Sequence, residues 1–321
     1  MQPDCQQISD NLSQIQKLKA DFNVAVDVGN FDEAKVIEKE LAAKLEVLRE
    51  QFHVSPEEAE AILGQDCLGP KAVEKAYGYL PDKIPPIPFK REELKRAKEL
   101  GQFLVLRIGK NKAGNPLTMK GVRDALQDRF TKDGMRKITA NESYNKAFWE
   151  NDPIESRWAL VSKEAIPGST NRNYLRQTQV LVKYIQTQVF QNRPVPLRYQ
   201  MAIRELEAYL TANPELIFKN NAKLNEVLDG PNWQKYAREL SALQINQLTR
   251  QTPAEVLYDI TLYFLTNQEH LLKNTYAWTR RCDSGGGLIG IGPFDYSGAF
   301  VYRWRPGNIS GSMGVSFSRS L

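Results

Sequence analysis

The chain has 321 residues, 41% hydrophobic and 25% charged, the ordinary balance of a soluble globular protein with room for one large domain or two moderate ones. No apolar run approaches the length needed to span a bilayer, and 43 basic against 38 acidic residues, spread without like-charge blocks, is too mild an excess to name nucleic acid as the partner. Cys5, Cys67 and Cys282 have no paired spacing, which argues against a disulfide scaffold or a four-cysteine zinc site, and the opening MQPDCQQISD lacks the blocks of a signal peptide, so a cytoplasmic chain is expected.

From Ile8, the apolar positions Leu12, Ile15, Leu18, Phe22 and Val26 step by three or four. After Val28-Gly29-Asn30 a second series runs Ile37, Leu41, Leu45, Leu48, Phe52, with Asn30 and Glu33 as a start signal. This predicts a helical hairpin over 8–52. Two helices bury little alone, so the stripe meets either the rest of the chain or another copy. Ser55-Pro56-Glu57-Glu58 opens a third short helix ending by Gly64. A further helical turn falls within 65–80. Pro81 to Pro88, with Pro85-Pro86, is a stiff extended connector, and the domain boundary is placed there.

Beyond it, Glu92 to Leu100 predicts a helix stopped by Gly101, and Phe103-Leu104-Val105-Leu106 a buried strand. Met119 to Phe130 is a helix, Trp158 to Val161 a strand, and Tyr174 to about Phe190 a core-facing helix broken by Pro194 and Pro196. Residues 199–212 and 233–245 are two more helices, an insertion or flank to the sheet. Thr252-Pro253-Ala254-Glu255 opens the last helix.

The tail from Arg280 differs from everything before it: its 42 residues hold 9 of the 20 glycines, with no Lys, Glu, Gln or Thr. Such a glycine load excludes helix, while Phe300 to Trp304 and Met313 to Phe317 alternate with the period of half-buried strands. Between turns lie Arg281, Tyr296, Phe300, Tyr302, Arg303, Trp304, Arg305 and Asn308, the composition of a binding surface. From the residues alone, Phe300, Tyr302 and Trp304 are better read as the buried face of a strand.

The run Trp278-Thr279, then Gly286-x-Leu288-Ile289-x-Ile291-Gly292-x-Phe294-Asp295-x-x-Gly298, then Val301, Pro306 and Gly314-Val315-x-Phe317-Ser318-Arg319 resembles the end of variable proteins of diversity-generating retroelements. PFKREELKRAKELGQFLVLRI, WALVSKEAIPGSTNRNYLRQT and LTRQTPAEVLYDITLYF are similar to one large group of them. Arg250-x-Thr252-Pro253-Ala254-Glu255 is also similar to the helix before the final strands of formylglycine-generating-enzyme-like domains. Over roughly 86–321, which it covers, the resemblance implies a C-type-lectin-like domain with helical elaboration, whose tail 280–321 is rewritten by error-prone reverse transcription at template adenines; with the helical hairpin module over 1–80 read from periodicity, an α+β chain is expected. The resemblance further implies a non-enzymatic receptor or adhesin for an unknown protein or surface ligand, in a cell or a phage particle, with Cys282, Gly290 and Pro293 joining the tail residues above as candidate ligand-binding positions. It sets Val301 as scaffold, so that Phe300, Tyr302 and Trp304 face outward beside Tyr296 and Arg303 or Arg305.

Other chemistry is weak in this sequence. His53 and His270 fall far apart on predicted helices, leaving little for a histidine metal site or triad. Enzymes of this fold rely on paired cysteines near the end, and Cys282 stands alone in the tail. Gly285-Gly286-Gly287 lacks the Lys-Ser/Thr and helix of a phosphate loop and is a turn. Asp283 and Asp295 are too few for calcium. No cofactor or metal is expected. Arg280, Arg281, Arg303 and Arg305 among aromatics leave single-stranded nucleic acid as one alternative, and a structural or assembly protein using 8–52 as another.

Overall fold

The computed structural model describes residues 5–132, 134, 137–139 and 146–320, and it divides into two compact units. The first runs to Ser55 and includes Pro86–Arg91. Its body is a helical hairpin, α1 (Cys5–Asp27) and α2 (Phe31–Phe52). Gly29 turns the chain at φ 73°. Asn30 starts α2 as expected: its amide donates to Glu33 Oε2 at 2.6 Å, and its side-chain oxygen accepts from the Glu33 N–H at 3.4 Å. The stripe is only half covered: Ala25 and Ala34 are buried, Ile15, Leu18, Phe22, Ile37 and Leu41 half-buried, and Leu12 and Val26 exposed. The side chains of Ile8, Leu45, Leu48 and Phe52 lie outside the described residues.

The second unit holds Pro56–Pro85 and Glu92–Leu321. One break between the units, Pro85 to Pro86, falls within the connector expected at 81–88, and the others follow Ser55 and Arg91. The short elements after Ser55 belong with the larger unit because the strand at Cys67–Leu68 pairs parallel with the one at Leu104 and Val105. In order the unit contains α3 (Pro56–Leu63), β1 (Cys67–Leu68), α4 (Pro70–Tyr77), α5 (Arg91–Glu99), β2 (Gln102–Arg107), α6 (Met119–Lys132), α7 (Lys146–Asn151) and β3 (Arg157–Ser162). Then come α8 (Tyr174–Tyr184), continued by a π-helical turn over Ile185–Val189, α9 (Leu197–Ala212), α10 (Asn221–Leu228), α11 (Trp233–Ala242), α12 (Gln244–Thr249) and α13 (Pro253–Asn267). The tail forms β4 (Tyr276–Cys282), β5 (Leu288–Asp295), β6 (Gly298–Trp304), β7 (Met313–Gly314) and β8 (Ser318–Arg319). This is an α+β protein, and no helix among the described residues is long and apolar enough to cross a membrane.

Two four-stranded mixed sheets have the orders β1-β2-β3-β8 and β6-β5-β4-β7. The chain's end thus joins both, with β7 parallel to β4 and β8 antiparallel to β3. Residues 313–319 are buried throughout rather than alternating, because this segment is shared between the sheets and keeps no solvent face.

Helix α13 lies against β1 and β2 of one sheet and β4 and β5 of the other. Thr252 and Glu255 close a full capping box with Pro253 in the first turn, and Pro253 through Leu265 are all buried. Two of these buried residues are acids. Arg107 of β2 donates from Nε to Asp259 Oδ1 at 3.0 Å and from Nη2 to Oδ2 at 2.5 Å, while its Nη1 lies 3.1 Å from Glu255 Oε1. Arg157 of β3 and Arg280 of β4 reach Glu255 at 2.5 and 3.5 Å. Burial pushes the Glu255 carboxyl up, but Arg107, Arg280 and Arg157 outweigh it and bring it down to about 2.

Arg107→Met would leave both carboxylates buried against fewer cations, and breaking a buried pair in this way costs about 3–5 kcal/mol. We expect that loss in urea unfolding at pH 7. A carboxyl held below its ordinary 4.5 contributes stability above that value and loses it as pH falls toward about 2. The gap between wild type and Arg107→Met should therefore narrow below pH 4.5; an unchanged gap at pH 3 would show that Glu255 is not held by Arg107.

Candidate functional site

The tail's β5–β6 hairpin is built on glycines that nothing else can replace. At Gly292, φ 131°, a Cβ would sit 2.1 Å from the Thr275 carbonyl oxygen, and at Gly298, φ 96°, 2.5 Å from that of Lys137. Asp295 closes the turn by accepting from the Ser297 N–H at 2.7 Å. The register sets Val301 opposite Ile291 and Tyr302 opposite Gly290. Strand alternation then separates two faces. Ala299 and Val301 are fully buried with Ile289, Ile291 and Phe294. Phe300, Tyr302 and Trp304 share the other face, with Tyr302 37% exposed and its two neighbours half-buried.

These rings form one cluster. Phe300 and Tyr302 lie parallel, centroids 6.2 Å apart, and Tyr302 meets Trp304 edge-on at 6.4 Å. Tyr276 of β4 joins them from across β5, 5.7 Å from Tyr302 and 6.1 Å from Trp304. The bridge is possible because Gly290 intervenes without a side chain: a Cβ there would meet Trp304 Nε1 at 3.3 Å and Trp278 Cδ1 at 3.7 Å. The Trp304 ring lies over this glycine, and its inner edge packs against the helices α8–α12 together with Trp278 and Leu288. Tyr276 escaped sequence reasoning. Its signal was the two-residue spacing to Trp278 on the same strand face.

The remaining candidates are dispersed. Tyr296 is 66% exposed at the hairpin tip but stacks edge-on with His270, centroids 5.1 Å apart, not with Phe300 or Tyr302. Arg303 is on the opposite strand face from Tyr302, as alternation requires, and its Nη1 lies 3.4 Å from Asp283. Arg305 lies over the Trp233 ring at 5.2 Å and donates to the Asp229 carbonyl, while Asn308 accepts from the Arg305 N–H at 2.8 Å. Arg281 forms a two-point pair with Asp152 at 2.9 and 3.0 Å. Cys282 is half-buried with its sulfur 3.5 Å from Ser241 Oγ, and burial raises its thiol pKa. Gly290 is buried and Pro293 half-buried after a cis bond.

The glycine run is a turn, held by Asp283, which accepts from the Gly287 N–H at 2.7 Å, and by Gln234, which donates to the Gly285 carbonyl at 2.8 Å. Neither histidine lies in a helix. His53 sits just past α2, 2.9 Å from the Ile87 carbonyl oxygen, and His270 is in the loop before β4. A cavity of about 660 Å³ lies beside that loop, lined in part by Lys163, Glu164, Tyr184, His270 and Lys273. Its lining includes none of the candidate tail residues. No group of three or more His, Cys, Asp or Glu able to hold a metal occurs among the described residues. No family model matches this chain, and neither a curated protein nor a solved structure matches it.

Two outcomes follow from these positions. Tyr302→Ala should cost under about 1 kcal/mol in urea unfolding, whereas Phe294→Ala, a wholly buried ring, should cost about 3–5 kcal/mol; equal losses would make Tyr302 part of the core. Burial lowers the His270 pKa from its ordinary 6.5, with Asp295 opposing and Lys273 adding to the shift. Both its ring nitrogens are buried without a partner among the described residues, between Phe264 and Phe294. The unfolded chain takes up that proton more readily, so stability is present above pH 6.5 and falls below it. His270→Phe should abolish this part of the pH dependence between pH 7 and 5, read as Tm in a calorimetric scan.

Proposed function

We propose that this chain is a non-enzymatic binding protein whose tail is diversified by a retroelement, and that it binds a protein or surface ligand through the outer face of the β5–β6 hairpin. The single observation that carries the reading is the division of residues 299–304. Ala299 and Val301 are fully buried, while Phe300, Tyr302 and Trp304 gather with Tyr276 on the other face. Leaving apolar rings in water is unfavourable by about 25 cal/mol per Å², and clustered exposed rings mark an interaction site more often than scattered ones do.

A C-type-lectin-like domain is the finer form of this fold reading. It is supported by the way β7 and β8 return to β4 and β3, which anchors the chain after the hairpin while β6 stays at a sheet edge. The arginines favour the protein ligand over a nucleic acid: Arg281, Arg303 and Arg305 are already engaged by Asp152, Asp283 and the Asp229 carbonyl.

The reading makes one demand on the DNA and one on the protein. Beside the gene there should be a reverse transcriptase and a near-copy of the tail's coding sequence that differs where the template has adenine; a complete genome with no such repeat would remove active diversification. In a displayed library randomised at Tyr296, Phe300, Tyr302 and Trp304, most members should stay folded, and selection on an immobilised protein such as lysozyme should enrich binders. Widespread loss of folding in that library would show the four positions to be structural and defeat the proposed site.

A further inference from the structure

The helical hairpin carries apolar surface that its own unit does not cover. Among the described residues, twelve large apolar side chains are exposed, and six of them, Leu12, Val24, Val26, Val28, Phe31 and Val36, lie on α1, α2 and their turn. The exposure is greatest near the tip, where Val24, Val28 and Val36 are 61%, 72% and 64% exposed. Val24 lies in the last turn of α1 and Val28 just past its end, its N–H still donating to the Val24 carbonyl at 3.0 Å, so the two share a face. The Gln14–Lys44 hydrogen bond and the buried Ala25 and Ala34 fix the antiparallel register, which sets Val36 level with Val24. Helical geometry turns all three toward the edge that Gln14 and Lys44 mark.

A two-helix layer has a side with no third element to close its seam, and helices of this length gain most of their stability from tertiary packing. We infer that the hairpin pairs with the hairpin of a second copy of this chain, giving a four-helix arrangement centred on Val24, Val28 and Val36. The size suffices: helices of 23 and 22 residues are about 33 Å long and about 10 Å across, so one face of the pair offers on the order of 600 Å² per copy. That doubles to about 1,200 Å², the lower limit of a stable specific interface.

Charge favours a copy over a foreign partner. Acids and bases are mixed along both helices, nine acids to six bases over 5–52 with Asp27, Asp32 and Glu33 near the tip, so the hairpin presents no strong field of one sign to select an oppositely charged protein. An apolar patch among mixed charges is complementary to itself under a two-fold axis. Two copies would also present two tail faces at once, raising effective affinity for a repeated ligand without any new contact. That last consequence rests on the proposed function; the pairing does not.

Light scattering on the full chain at about 20 μM should report twice the 36.6 kDa chain mass. Val24→Glu with Val28→Glu should reduce the mass to that of one chain while far-UV circular dichroism is unchanged, since both side chains are exposed. Leu197→Glu with Met201→Glu, equally exposed on α9, should leave the doubled mass intact. A wild-type chain that is monomeric at this concentration overturns the inference, as does a dimer that survives the valine substitutions or is lost equally with the α9 pair. If the doubled mass is lost only in the valine variant while the displayed tail library fails to fold, pairing stands and the binding role falls.

Discussion

Arg107 is the residue on which the second unit turns. It is fully buried, and so are the two carboxylates it holds, Glu255 and Asp259, one helical turn apart on α13. Taking these charges out of water costs several kcal/mol per ion, a cost met only where every oxygen finds a donor. Here they do. Asp259 takes both Arg107 nitrogens and the Gln251 amide, and Glu255 takes Arg107, Arg157, Arg280 and the Thr252 N–H. Because Arg107, Arg157 and Arg280 come from β2, β3 and β4, one helix turn ties strands of both sheets to a single register. A hydrophobic core would hold these layers together without specifying how one sheet is placed along the other.

A second buried arginine does the corresponding work for the helical elaboration, with no acid at all. Arg250 lies 4.0 Å over the Tyr174 ring and donates to Asn246 Oδ1 at 2.8 Å, with longer contacts to Gln177, Thr178 and the carbonyl oxygens of Tyr174 and Trp278. Burial lowers its pKa, with Tyr174 opposing. Neutral acceptors and a ring face replace a counter-ion, which suits the planar guanidinium and would not suit a lysine. The contact joins α8, α12 and β4, and it brings the helices over the part of the outer sheet face that holds Trp278 and Leu288. Of the ring cluster, those helices reach Tyr276 and Trp304 and leave Tyr302 exposed.

The elements that sequence reasoning reached are those whose signals are local. The capping box at Thr252, the apolar run of β2 and the hairpin turn at Gly29 were legible, because each depends on a few adjacent residues; the inward placement of Val301 came only from the resemblance, since the residues alone favour burying Phe300, Tyr302 and Trp304. The features that were not legible share the opposite property. Residues 313–319 alternate in sequence yet are buried on both faces, since the segment's environment is set by β3 and β4, far away in the chain. Arg281 and Arg305 have the composition of contact residues, but Asp152 and Asp229, whose positions no spacing rule links to the tail, engage them. Tyr276 lay just outside the compositional boundary drawn at Arg280, and only the missing side chain at Gly290 lets it reach Tyr302. The further breaks after Ser55 and Arg91 were not legible, because a proline-rich stretch signals stiffness and says nothing of the contacts on either side.

These constraints together set where the tail can change. Positions 299 and 301 fill the core against Ile291 and Phe294, and 292 and 298 are closed to any side chain by carbonyl oxygens at 2.1 and 2.5 Å. Position 290 is bound to 304, because a side chain at 290 would take the space that the Trp304 ring occupies. At the tail's two ends, Arg280 is committed to Glu255 and Arg319 to Glu93. Freedom is left at 296, 300 and 302, and at 304 on condition that 290 stays small. In a strand, such freedom on alternate residues follows from having one face packed and one face open. The buried charges that fix the sheets are therefore what permit the outer face to vary: changes there remove contacts between rings, while the register is held beneath by groups the changes do not touch.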